Sequence, residues 1–167
     1  MKGKFIIESV LFRLNKKIPN IPDYPIVADV LKNKYGNLPI ISGIRGAVVE
    51  IRVEKLPDPN LIPNAGSFFK NVFVAETKFA ELKEEFPDMP SFISGDLYKI
   101  PTGWLVEKAG YKGCKKRGVG VYEKNALILV NYSAKSLKEI LDLAREIQSA
   151  VMNKFGVQIG IEPEIVS

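Results

Sequence analysis

The most regular pattern of apolar positions lies near the carboxy-terminal end of the chain. Apolar side chains recur at helical spacing over residues 137–155, which predicts an amphipathic helix with one buried face. Ser136 and Glu139 have the spacing of a capping box at its start, and Gly156 is predicted to end the helix. Residues 157–166 are predicted to form a strand after it.

The amino-terminal third combines an apolar run with two helical patterns. Residues 5–14 have the apolar density of a buried strand, and Tyr24-Pro25 opens a short helix with proline in its first turn. A second helix is predicted over 43–53, with Ser42 as its cap. The prolines of residues 56–59 end that helix and mark a domain boundary.

Between these ends, short strand patterns alternate with short helical ones. The predicted elements are a turn of small residues over 64–67, a strand over 69–74, a helix over 77–86, a loop or hairpin over 87–101, a helix over 103–109, and strands over 119–122 and 126–130. This mixed order of strands and helices predicts an α+β fold.

Composition narrows the class of protein. A chain of 167 residues with 46% apolar content can bury a substantial core. No apolar run has the length of a secretory signal or a membrane span, so a cytoplasmic protein is expected. Cys114 alone cannot form an internal disulfide, and the absence of histidine argues against the usual metal sites.

The formal charge of +5 is spread along the chain, with acidic residues between the basic ones. Only residues 112–117 are densely basic, and they suit either a solvated loop or a surface for a partner or a phosphate. A nucleic-acid-binding module would need an aromatic platform or a basic helix, and the sequence has neither. Nucleic acid is therefore not an expected partner.

Three short segments have a specific character: Asn-Ala-Gly-Ser-Phe-Phe-Lys-Asn at 64–71, Gly-Trp-Leu-Val-Glu at 103–107 and Glu-Pro-Glu at 162–164. Together they closely resemble the carboxy-terminal half of the UDP-N-acetylenolpyruvoylglucosamine reductase family, flavoenzymes that make UDP-N-acetylmuramate for peptidoglycan. The resemblance implies FAD and NADPH as cofactors and UDP-N-acetylglucosamine enolpyruvate as substrate. It also implies that residues 1–54 are a terminal segment of the flavin-binding half or a linker, and 55–167 the substrate-binding domain.

The resemblance implies that FAD binds outside this chain, because no glycine-rich flavin loop of the expected kind precedes Lys4. The family's catalytic arginine would also precede the first strand, and no residue here is assigned its role. A separate flavin-binding polypeptide is thus an expected partner. The chain is interpreted as a split subunit, a shortened polypeptide or a degenerate homologue, and a non-catalytic nucleotide-sugar-binding or regulatory module is the alternative function.

The resemblance also assigns roles to single residues. It makes Ser67 the proton donor and Glu164 the carboxylate that polarises the enolpyruvyl group, although a serine that satisfies its own turn and a solvated strand end are the simpler alternatives. Side chains that bind the substrate are expected at Tyr24, Lys55, Lys70, Asn71 and Asn125. Tyr24 suits a core aromatic almost as well.

Overall fold

The computed structural model describes residues 7–14, 16–17, 20, 24–35 and 41–165. The chain divides into two compact units, residues 1–51 and 52–167. The division falls inside a helix, a few residues before the boundary predicted from the prolines. Assignment of the two parts to a flavin half and a substrate domain stays a prediction.

The first unit is helical where it is described. Helix α1, Pro25–Val30, continues into a π-helical turn, Leu31–Tyr35, and helix α2 is Ile41–Lys55. Val27, Leu31 and Ala47 form a small buried cluster between these elements. Both predicted helices are confirmed, but the cap predicted at Ser42 is wrong because this residue lies inside the first turn of α2.

The strand predicted over residues 5–14 is not formed over 7–14, and residues 5–6 lie outside the described part of the chain. The apolar side chains of this run are solvent-exposed, including Ile7, Leu11 and Phe12. An apolar run becomes a strand only when a neighbouring strand takes up its backbone hydrogen bonds. None of the described residues provides such a partner.

Over residues 52–165 the second unit contains three helices and two antiparallel sheets. Its elements are β1 Asn64–Ser67, β2 Val72–Val74, α3 Glu76–Glu85, β3 Phe92–Ser94, β4 Leu97–Ile100, α4 Thr102–Lys108, β5 Lys115–Lys116, β6 Val119–Val121, β7 Ile128–Asn131 and α5 Leu137–Phe155. One sheet has the order β1-β7-β6-β5 and the other the order β2-β4-β3. The predicted α+β class is confirmed.

Helix α5 provides much of the core of this unit. It begins with the predicted capping box of Ser136 and Glu139, and it ends at Gly156, whose φ of 64° is left-handed. Buried side chains of α5 pack with those of α4 and of the four-stranded sheet; the core includes Phe69, Leu105, Val121, Leu143, Ile147, Val151 and Ile159. This core supports both segments that carry the predicted catalytic residues.

Residues 64–67 form strand β1 rather than the predicted turn. Asn64 pairs with Val130 and Ser67 with Ile128, and the register shifts between these two pairs. At the shift Gly66 has a φ of 73°, a conformation that glycine adopts without strain, and its N–H donates to Asn64 Oδ1 over 3.0 Å. The small residues therefore form a strand with a β-bulge. Their composition is equally typical of a turn, so the sequence alone did not distinguish the two.

The strand predicted over residues 157–166 is also wrong over its described part. Only Ile161 makes a bridge, with Phe69, and residue 166 lies outside the described part. Val157 and Ile159 are buried alternately with exposed neighbours, which explains the strand-like pattern. The carbonyl of Ile159 instead accepts a hydrogen bond from the Gln148 side chain of α5, over 2.7 Å.

Candidate functional site

Ser67 ends strand β1 with its side chain exposed. The next two residues are firmly anchored: Phe68 N–H donates to the Leu127 carbonyl over 2.7 Å, and the rings of Phe68 and Phe69 are buried and meet edge to face at 5.4 Å. Within the described part of the chain, the Ser67 hydroxyl has no hydrogen-bond partner. It does not satisfy its own backbone, and it lies beside a rigid support with its proton available.

The carboxy-terminal segment runs antiparallel beside the residues that follow Ser67. Lys70 N–H donates to the Gly160 carbonyl and Glu162 N–H donates to the Phe68 carbonyl, each over 2.9 Å. Two residues later comes Glu164, whose Cα lies within about 7 Å of the Glu162 Cα because two extended residues reach no further. Glu164 is exposed. The fold therefore brings together the two backbone segments that carry the predicted catalytic residues.

A cavity of about 270 Å³ in the second unit brings together two of the predicted substrate-binding residues, Lys55 and Asn125. We call it the lysine cavity; it is lined by Lys55, Gly103, Glu107, Lys112, Lys124 and Asn125. Lys112 pairs with Glu107 over 3.0 Å, whereas Lys55 and Lys124 have no carboxylate partner among the described residues. Two uncompensated ammonium groups favour an anionic ligand.

Residues 125–127 connect this cavity to the Ser67 strand. Asn125 Oδ1 accepts a hydrogen bond from Leu127 N–H over 3.1 Å, and the Leu127 carbonyl accepts from Phe68 N–H. The carbonyl oxygen of the Asn125 side chain is thus used within the hairpin, which leaves its amide N–H groups to donate. Such donors suit phosphate oxygens.

Lys70 and Asn71 follow Ser67 at the junction with helix α4. Both side chains are exposed, and Asn71 Oδ1 accepts a hydrogen bond from the first amide of α4, that of Thr102, over 3.2 Å. Sequence reasoning missed Thr102, and it also missed Lys124. Lys124 directly precedes Asn125 between the strands predicted over 119–122 and 126–130, and that adjacency was the available signal.

Tyr24 belongs to the first unit, whereas Ser67 belongs to the second. Tyr24 directly precedes α1, and its carbonyl accepts from the amides of Val27 and Ala28. With 68% of its surface exposed, Tyr24 is not a core aromatic of its own unit. Its role as a substrate ligand stays a prediction.

The basic segment 112–117 is mostly engaged with the protein itself. Lys116 pairs with Glu146, and the Lys115 ammonium lies 4.7 Å from the centre of the Tyr132 ring. The hydrogen bond from Lys116 lowers the pKa of Glu146, and burial together with a 2.8 Å hydrogen bond to Glu146 raises the pKa of Tyr111 to about 12. These internal contacts occupy basic side chains that would otherwise be available to a partner or a phosphate.

The helix starts of residues 52–165 are already engaged: α5 is capped by Ser136 and Glu139, the first amide of α4 donates to Asn71, and α3 begins with a glutamate. None of these three starts is a favourable anion site for the diphosphate of a flavin dinucleotide. The described residues also contain no cluster of ligands suited to a metal ion. No helix among them has the length and apolar character needed to cross a bilayer.

Comparison with known proteins gives a consistent family. Residues 58–166 match the family described as UDP-N-acetylenolpyruvoylglucosamine reductase, C-terminal domain. Proteins named UDP-N-acetylenolpyruvoylglucosamine reductase match nearly the whole chain: that of Flavobacterium johnsoniae is 38% identical over 99% of this chain, that of Bdellovibrio bacteriovorus 41% over 96%, and that of Porphyromonas gingivalis 42% over 98%. The chain spans about half the length of these relatives, from 48% to 50%.

Proposed function

The chain belongs to the UDP-N-acetylenolpyruvoylglucosamine reductase family, and we propose that it provides the substrate-binding and proton-donating half of such a reductase. The proposed substrate is UDP-N-acetylglucosamine enolpyruvate and the product is UDP-N-acetylmuramate, used in peptidoglycan synthesis in the cytoplasm. FAD, reduced by NADPH, is held outside residues 52–165, by another region of the same polypeptide or by a partner.

The observation that carries this proposal is the antiparallel pairing of residues 68–70 with residues 160–162. It supports a site in which a hydroxyl and a carboxyl group act on one bound molecule. The two groups are far apart in the sequence, and this pairing joins their segments.

Ser67 is the proton donor in this proposal. Reduction adds a hydride to one carbon of the enolpyruvyl double bond and leaves carbanion character on the other carbon. The Ser67 hydroxyl gives its proton to that carbanion, and the resulting alkoxide regains a proton from water. A hydroxyl is a weak acid, yet it can serve a strongly basic acceptor held within hydrogen-bond distance. The buried Phe68 and Phe69 side chains fix the backbone next to the donor.

Glu164 stabilises the charge that develops in the enolpyruvyl group. In this proposal its carboxyl group lies beside the enolpyruvyl group and polarises it, where negative charge accumulates when the carbanion delocalises. Polar groups that are already in place before the charge appears lower the barrier most effectively. The adjoining backbone is fixed by the bond between Glu162 N–H and the Phe68 carbonyl.

The lysine cavity binds the diphosphate of the nucleotide sugar. Lys55 and Lys124 provide two cations without carboxylate partners, and Asn125 adds amide donors. Charge-assisted hydrogen bonds to phosphate oxygens are stronger than those between neutral groups. Lys70 and Asn71 extend the polar surface from the cavity toward Ser67.

Lys55→Met is expected to weaken the binding of UDP about tenfold, because a hydrogen bond to a charged group contributes about 1.5–3 kcal/mol. Titration calorimetry at low and moderate salt measures the loss, which should shrink as salt screens the remaining charges. Lys135→Met is the matched control, since Lys135 is exposed and lines none of the described cavities. Equal affinities for UDP in the two variants would contradict the diphosphate assignment.

A further inference from the structure

Thr102 is the one buried polar side chain among the described residues, with none of its surface accessible. Its hydroxyl donates to the Lys70 carbonyl over 2.7 Å, and its N–H donates to Asn71 Oδ1 over 3.2 Å. Both bonds join the first turn of α4 to consecutive residues just after Ser67. A hydroxyl group that is buried away from water destabilises the fold unless it makes hydrogen bonds within the protein.

The segment held by Thr102 is also bonded on its other sides. Phe68 bonds Leu127 and Glu162, and Lys70 bonds Gly160. Those bonds tie the segment to the residue just before strand β7 and to the carboxy-terminal segment. The Thr102 bonds are different because they tie it to α4, whose residues Gly103 and Glu107 line the lysine cavity.

We propose that Thr102 is a positioning residue that sets the distance between the lysine cavity and the Ser67 hydroxyl. This inference rests on the proposed function, in which one substrate reaches from the cavity to Ser67. A ligand that contacts both the lysine cavity and Ser67 binds most tightly when the two are already correctly spaced, since binding energy is lost when the protein must rearrange. The affinity of a ligand that occupies the cavity alone does not depend on that spacing.

The bond to Asn71 has a second consequence for the ligand. Because Asn71 Oδ1 accepts from Thr102 N–H, the side-chain amide of Asn71 is oriented with its N–H groups as the remaining donors. Asn71 is exposed, so these donors are accessible. Thr102 thereby selects an anionic rather than a cationic neighbour for Asn71.

The test compares two ligands with the full chain. Thr102→Val keeps the shape of the side chain but removes the hydroxyl, and it is expected to weaken binding of UDP-N-acetylglucosamine enolpyruvate about tenfold while changing UDP binding by less than about twofold. Thr102→Ser, which retains the hydroxyl, should restore the affinity for the whole substrate. Thr77→Val, at an exposed position in α3, is the control.

Loss of affinity for both ligands to the same degree, or no loss for either, would overturn the positioning role. Failure of the unaltered chain to bind either ligand would instead overturn the proposed function, and this inference with it. Hydrogen exchange in the unaltered chain gives a readout that does not depend on the folding of a variant. Whole substrate should slow exchange of the Thr102 and Lys70 amides more than UDP does, and equal exchange with both ligands would contradict the proposal.

Discussion

Ser67→Ala is expected to lower turnover about 10²- to 10⁴-fold, the usual contribution of a positioned proton donor. The hydroxyl is exposed and makes no hydrogen bond within the described part of the chain, so its removal should not disturb the fold. The affinity for the enolpyruvyl substrate should therefore change little. The measurement is NADPH oxidation that depends on this substrate, with the flavin-binding region present.

Ser94→Ala provides the matched control, because Ser94 is an exposed serine at the end of strand β3. Its turnover should equal that of the unaltered protein. Normal turnover in Ser67→Ala would remove Ser67 from the chemistry. If the unaltered protein and its variants bind the substrate normally but show no turnover when the flavin-binding region is present, the alternative function, a non-catalytic nucleotide-sugar-binding module, would be favoured instead.

Glu164→Gln is expected to lower turnover about 10²- to 10³-fold, because the amide keeps the size of the side chain but cannot replace the preorganised carboxyl group that faces the developing charge. Glutamine has nearly the same shape and remains polar, so the carboxy-terminal segment should stay paired with residues 68–70. Steady-state kinetics should show the loss in kcat, with a smaller change in KM.

Glu162→Gln tests whether this effect is specific to one carboxylate. Glu162 is exposed, and only its backbone N–H bonds the Ser67 segment. Its variant should retain nearly full turnover. A comparable loss in both variants would show that charge near the carboxy terminus matters in general and that Glu164 has no special position.

Sequence patterns were sufficient where one helix face or one cap determines the structure. Helix α5 has an apolar stripe, a capping box and a glycine exit, and each of these features is formed. The hairpin of β3 and β4 and the helices α3 and α4 also appear where the patterns predict them. Local periodicity carries this information because the residues involved are neighbours in the chain.

Patterns failed where a partner distant in sequence decides the outcome. Residues 64–67 look like a turn because they are small, but pairing with β7 makes them a bulged strand. Residues 157–161 alternate like a strand, but Gln148 takes the carbonyl of Ile159. Sequence patterns also could not predict the hydrogen bonds of Thr102, since its partners Lys70 and Asn71 lie about thirty residues earlier in the chain.

The site itself was predicted from a resemblance, and the fold adds the spatial relations that a sequence cannot contain. Lys55 and Asn125 line the same cavity, and the segments of Ser67 and Glu164 are hydrogen-bonded to each other. Neither relation follows from spacing along the chain. The catalytic and binding roles stay predictions until they are measured.

The most direct test of this account is the mapping of amide NMR shifts as the full chain is titrated with UDP-N-acetylglucosamine enolpyruvate. We expect the perturbed amides to lie in residues 64–71, 124–127 and 160–164, which together surround the proposed site. Shifts centred instead on Lys116 and Glu146, which line a separate cavity, would contradict it. So would shifts in only one of the three expected segments, because one substrate could not then connect Ser67 with Glu164.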